Sequence, residues 1–320
     1  MNALRVVGKK LLYLLPVLFA VTVLSFLLIK LLPGDPAINI LGPSATADAV
    51  KTLDHHLGVD KPLPEQYVIW LGHAATGDLG RSYQNQQTTV SALKQRLPIT
   101  LELILLSQFL ALLLAIPVAL YAAQHQGGIF DRLATTLSFG FLAVPDFILG
   151  VLLVFLFAVK LHWFPATGWV NLTANPVENL KSATLPVVTL ALASLAVYVR
   201  LLRTDLIATL QQDYIAMAKA KGLPTSYILL RHALRPSSFS LVTVSGLQFG
   251  ALIGGTFIVE LIFALPGIGG LAVQSIFSRD YLVVQGTVLL IATAYVLVNF
   301  AVDLVYTLLD PRIRHASALS

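Results

Sequence analysis

The sequence predicts an all-α polytopic membrane protein with six transmembrane helices. A small extracytoplasmic lobe lies between the first and second, and a short cytoplasmic helix between the fourth and fifth. Three observations carry this reading. Of 320 residues, 57% are hydrophobic and only 12% charged, against about 25% charged in a soluble domain. Mean hydropathy is +0.80. The apolar residues fall in runs near the ~20-residue length that crosses a hydrocarbon core. Lipid leaves no solvent for an unpaired backbone, and these runs are too long and continuous for barrel strands, so they read as helices.

The first run, Leu11 to Ile29, follows a basic start but exceeds a signal peptide's apolar core of about 7–15 residues. Pro-Gly-Asp-Pro, rather than a cleavage site, comes after it. It is expected to stay as a span, within a first unit of residues 1–32. Residues 33–98 are too long for a plain connector. Their spaced aromatics and leucines predict an ordered lobe, with Tyr67 to His73 as a short amphipathic helix. Five further spans follow within residues 99–312: Leu101 to Ala123, Leu133 to Val159, Leu185 to Leu202, Phe239 to Phe263 and Leu282 to Leu309. The fourth is the weakest and is expected to continue as a helix beyond Arg200. Residues 313–320 form a tail.

Lysine and arginine orient the spans. With the N-terminus inside, the inner segments hold Arg5, Lys9, Lys10, Arg132, Arg200, Arg203, Lys219, Lys221, Arg231, Arg235, Arg312 and Arg314. The short outer segments hold Lys30, Lys160, Lys181 and Arg279. This bias predicts both termini in the cytoplasm. It also accounts for the net charge of +5 as a topology signal, with no nucleic-acid partner implied.

The inner segment 203–238 contains DYIAMAKAKGLP, residues 213–224. Alanine, methionine and lysine favour a helix from Thr204 to Lys221. Basic residues followed by Gly222 read as its C-terminus, and Pro224 suits the first turn of a second, short helix ending at Pro236. Small residues at Ala216, Ala218 and Ala220 leave room for another surface to approach. A Gly-Leu-Pro stop makes a rigid element, unlike a Gly/Ser tether; a solvated basic loop that only fixes topology is the alternative.

Three acids sit in apolar runs: Asp146 in the middle of the third span, Glu260 near the outer end of the fifth and Asp303 in the sixth. Intramembrane acids usually face a bundle interior or a water-filled path, so they are candidates for a translocation pathway; helix-to-helix polar contacts are the alternative. LPGIGG, residues 265–270, suits a tight turn or a close helix approach. His55, His56 and His73 have no accompanying set at metal-ligand spacing. There are no cysteines, no Ser/His/Asp or H-E-x-x-H arrangement, and no G-x-x-x-x-G-K-[ST] loop. The chain is therefore expected to be non-catalytic, with no cofactor of its own. A stand-alone ion-driven carrier would show an inverted repeat, and none is evident.

In order, the chain carries LPGDP, GDLGRSY, DYIAMAKAKG, RHALRP, GLQFGALIGGTFIVELIFALPGIGG, RDYLVVQG and LDPRIR. With these motifs it resembles the permease subunits of ATP-binding-cassette importers, in the dipeptide, oligopeptide and nickel branch. The resemblance implies a type I importer permease core in a bacterial inner membrane. It implies a paralogous permease, two ATPase subunits that bind ATP and Mg2+, and an extracytoplasmic substrate-binding protein as partners. It also implies alternating-access import of short peptides, with nickel or a metal chelate as the alternative cargo. The family's E-A-A-x-x-x-G coupling loop falls on Ala216, Met217, Ala218 and Gly222, of which Ala218 and Gly222 match strictly. Asp213, Lys219, Lys221, Leu223 and Pro224 complete the implied ATPase-coupling set.

Overall fold

A computed structural model describes residues 3–31, 41, 45–57 and 60–309. The LPGDP motif, the chain after Leu309 and the side chain of Asp303 lie outside the described residues, so no placement is given for them. The described chain is helical, with a single antiparallel bridge between Arg81 and Thr88.

Helix α1 (Ala3–Leu31) is followed by α2 (Ala47–Leu57) and α3 (Leu63–Ala75). The long helices are α4 (Thr89–Gln124), α7 (Pro176–Leu210), α9 (Thr225–Ile262) and α11 (Tyr281–Leu309). Between them lie α5 (Ile129–Ala143), α6 (Asp146–Lys160), α8 (Asp213–Ala220) and α10 (Ile268–Phe277). Among the described residues, four helices are long and apolar enough to span a membrane, and a fifth span results if α5 and α6 count as one. Helix α1 contributes a shorter apolar stretch, Leu12–Leu27.

The expected third span is not straight. Helices α5 and α6 meet at a bend of 104°. Pro145 explains it: proline disfavours the helical conformation in the residue before it, and Val144 is extended at φ −99, ψ 123. Asp146 is therefore not in mid-helix. It opens α6, where an N-terminal turn favours a negative charge.

The other prolines act differently. Pro98 and Pro117 lie within α4, and Pro186 within α7. Helix α4 thus begins at Thr89 and not after Pro98, with Thr88 accepting a bond from the Ser91 N–H as its cap. Helix α7 likewise starts well before Leu185, capped by Asn175. Neighbouring helices and local adjustment tolerate such breaks inside a bundle.

The core is the seam of α4, α7 and α9. On α4, Ala111, Ala115, Ala119 and Ala123 recur at one face and are buried. Small side chains let backbones approach closely, and Tyr198, Leu202 and Leu206 of α7 fill the seam. Gln108 crosses it, donating to Tyr198 Oη at 2.6 Å and to the Ser245 carbonyl at 2.9 Å.

At one end of the bundle, Glu260 is fully buried. It accepts from Thr100 Oγ1 at 2.6 Å and from the Gly270 N–H at 3.1 Å. The Ile268 N–H in turn donates to Thr100 Oγ1 at 2.9 Å. A Cβ on Gly267 would stand 2.3 Å from the Glu260 carboxyl carbon. LPGIGG is therefore glycine-rich so that the start of α10 can close over a carboxylate.

At the same end, Ser82 Oγ donates to Asp280, and the Tyr83 N–H reaches the other carboxylate oxygen at 3.3 Å. This joins GDLGRSY to RDYLVVQG. Burial, with a smaller push from Asp280, raises the Tyr83 phenol to about 12. The expected helix in the lobe is α3, longer than Tyr67 to His73. His55 belongs to a helix and bonds Asp60 at 2.7 Å.

Candidate functional site

The opposite end carries the segment singled out in the sequence. Its expected continuous helix from Thr204 to Lys221 is divided. Helix α7 ends at Leu210, Gln212 turns extended at ψ 149, and the eight-residue α8 starts afresh at Asp213. Asp213 in its first turn and Lys219 in its last complement the helix dipole.

Gly222 ends α8 by a defined geometry. Its φ is +74, a left-handed conformation that glycine adopts without a Cβ penalty. The Gly222 N–H bonds the Lys219 carbonyl at 2.9 Å, and the Leu223 N–H bonds the Ala218 carbonyl at 3.3 Å. These are the paired bonds of a Schellman cap, and the apolar contact that accompanies such a cap is present. Leu223 packs with Ile215, Ala218 and Ile228.

Only one face of α8 is thereby used. Ile215 and Ala218, three apart, are buried against Ile228. Tyr214 and Met217 are 46% and 59% exposed, and Asp213, Ala216, Lys219, Lys221, Gly222 and Pro224 are exposed with them. Ala218, which is buried, and Leu223, which is half-buried, pack α8 against its own chain.

The second short helix expected up to Pro236 is not separate. Thr225–Tyr227 leads through a π-helical turn, Ile228–Ala233, directly into the rest of α9. Pro236 has no N–H for the His232 carbonyl four residues earlier. The Tyr214 hydroxyl donates to that carbonyl across a long 3.5 Å. Thr209 and Ser237 hydroxyls meet at 3.0 Å, fixing the end of α7 to α9 beside α8.

Helix α5 is tied to the same end. Asp131 is buried, and Arg203 grips it through Nε and through Nη2 at 2.7 Å. The Gly127 N–H donates to the same carboxylate at 2.8 Å. In the sequence alone Arg203 stands as a topology charge, and Asp131 is not singled out. Its available signal was an acid one turn after Gly127-Gly128, where a helix start was due.

The acids proposed for a pathway separate. Glu260 is consumed by the α10 turn. Asp146 is half-buried and makes no hydrogen bond or ion pair among the described residues. Asp303 has no described side chain. Among the described residues no cluster of three or more His, Asp or Glu could hold a metal ion.

A membrane bundle with a rigid, capped helix presented at one end fits the class of transport permeases, and the family comparison shows that class. Residues 115–315 match the binding-protein-dependent transport system inner membrane component, and residues 3–104 match the N-terminal region of the same component. The chain belongs to this family and is the permease component of an ATP-binding-cassette importer. It is 41% identical over 301 residues to a putative peptide transport system permease protein of Brucella abortus, covering 94% of this chain and 96% of that one. A probable peptide ABC transporter permease of Sinorhizobium fredii is 36% identical, with 96% and 98% covered. The glutathione transport system permease protein GsiC of Escherichia coli is 37% identical, with 98% and 99% covered. Membership implies ATPase and substrate-binding-protein partners.

Proposed function

We propose that this permease forms half of a pathway for short peptides, paired with a paralogous permease and working by alternating access. Both termini face the cytoplasm of the inner membrane, as the lysine and arginine bias supports. ATP and Mg2+ act in the two ATPase subunits. The exposed side of α8, from Asp213 through Met217 and Lys221 to Pro224, is the surface those subunits move.

The observation that carries this reading is the fixed geometry of α8. It is capped by Gly222, held by Ile215 and Ala218, and braced to the π turn of α9. Reversing a two-state equilibrium from 1:99 to 99:1 takes about 5.5 kcal/mol of differential binding. A pre-ordered helix delivers that without the ordering loss of a loose loop, about 1–2 kcal/mol per residue. Ala218 and Gly222 then serve the contact indirectly, by setting the helix. Asp146 is the pathway candidate retained, because it is half-buried without a partner. Asp303 and Glu260 share with it only the position of an acid in an apolar run, and the enclosure of Glu260 supports a bracing role.

Peptide and glutathione names among the relatives favour a peptide cargo over nickel. The test is reconstitution with the cognate partners in liposomes. ATP-dependent accumulation of di- to oligopeptides supports the reading, and accumulation of nickel alone overturns it.

A further inference from the structure

The geometry points to α3 as an in-plane membrane-surface helix, with the lipid headgroup and acyl boundary as its partner. Helix α3 packs on α1 through Tyr67 and Trp70. Tyr67 Oη shares a 2.8 Å hydrogen bond with Thr22 Oγ1. Its ring meets Phe19 and Phe26 edge-on, at 6.2 and 5.5 Å between centroids. Trp70 lies 5.9 Å from Phe26.

These contacts set a depth. Thr22 stands seven residues before Ile29, the end of the first apolar run. At 1.5 Å per residue it is about 10 Å inside that end. In-plane amphipathic helices bury their apolar side about 5–10 Å into the boundary. No residue of α3 is buried within the chain. Pro64, Val68, Leu71 and Ala75 line one side, with Val68 66% exposed, while Glu65, Ile69 and His73, four apart, line the other. A helix fastened to the flank of a membrane span at this depth, with the Val68 side turned inward to the bilayer, meets acyl chains. Its polar groups suit headgroups: the Lys61–Glu65 pair at its start, 2.8 Å apart, and exposed His73 at its end. Tyr67 and Trp70 are the residue types enriched at that level. The inference uses the membrane placement of α1 and is independent of the cargo; the proposed topology decides only which leaflet is involved.

The chain has no cysteine, so single cysteines at Val68 and His73, about 140° apart around α3, can carry a nitroxide label in the complete importer reconstituted in liposomes. At 68, collisions with oxygen should exceed those with a water-soluble nickel chelate several-fold, and the preference should reverse at 73. A chelate preference at 68 would put α3 in water. Exclusion of both reagents would put protein, such as the second permease, over it. Either result overturns the inference. A second readout uses Trp70 alone, with Trp163→Phe and Trp169→Phe: bromolipids should quench it, and unquenched emission overturns the proposal.

Discussion

Gly222→Val isolates the role of the α8 cap. The site is open, since a Cβ there meets nothing within 4 Å. The Cβ of valine therefore meets no neighbour. Its cost comes from the backbone, because φ is +74 and a left-handed conformation costs an L-residue about 1–2 kcal/mol. Escaping that strain means giving up the Lys219 and Ala218 carbonyl bonds. The balance between capped and unwound α8 should shift about five- to thirty-fold. The assay is the ratio of peptide uptake to ATP hydrolysis in proteoliposomes, with co-purification as the control for assembly. Uptake per ATP should fall while the complex still assembles. Gly222→Asn, a residue that enters the left-handed region readily, should fall less than Gly222→Ala, and alanine less than valine. Unchanged uptake in Gly222→Val, or loss independent of that order, would refute the argument.

Three further outcomes follow from named contacts. Asp131→Ala leaves Arg203 without its buried partner and should cost about 3 kcal/mol, the lower end for a broken buried pair, because Arg203 remains 23% exposed. The double variant with Arg203→Met should recover part of the lost melting temperature. Gly267→Ala drives a methyl into the Glu260 carboxylate and should destabilise by about 1–3 kcal/mol. Gly254→Ala, inside α9 with nothing within 4 Å, should not lower the melting temperature and should raise it slightly through helix propensity. Asp280→Ala removes the acceptor of Ser82 and the Tyr83 N–H, and limited proteolysis should then cut faster between Gly77 and Thr88.

The local features of the sequence translated well. Apolar runs gave the membrane class, and a basic turn before glycine gave the end of α8. The left-handed Gly222 and the start of α9 after Pro224 follow from chemistry confined to a few residues. Proline was harder to read because its effect depends on neighbours. Pro145 bends the chain sharply, whereas Pro98, Pro186 and Pro236 are absorbed within helices. The break at Gln211-Gln212 carries no strong stop residue, so helix propensity ran through it. Least legible were the fastenings between distant residues. Arg203 meets Asp131 from 72 positions away, Thr100 meets Glu260 from 160 and Ser82 meets Asp280 from 198. No local pattern pairs such residues. The same limit hid the two sides of α8: Ala218 matched the coupling motif, but only packing against Ile228 reveals that it turns inward.

Photo-crosslinking from position 217 tests the central claim most directly. A benzophenone side chain replacing Met217, on the exposed side of α8, should form an adduct with the ATPase subunit in membranes holding the complete importer. The same probe at Gln84, at the opposite end of the bundle, should not. ATPase adducts from position 84, or none from 217 in a transport-active complex, would contradict the assignment of α8 as the ATPase contact.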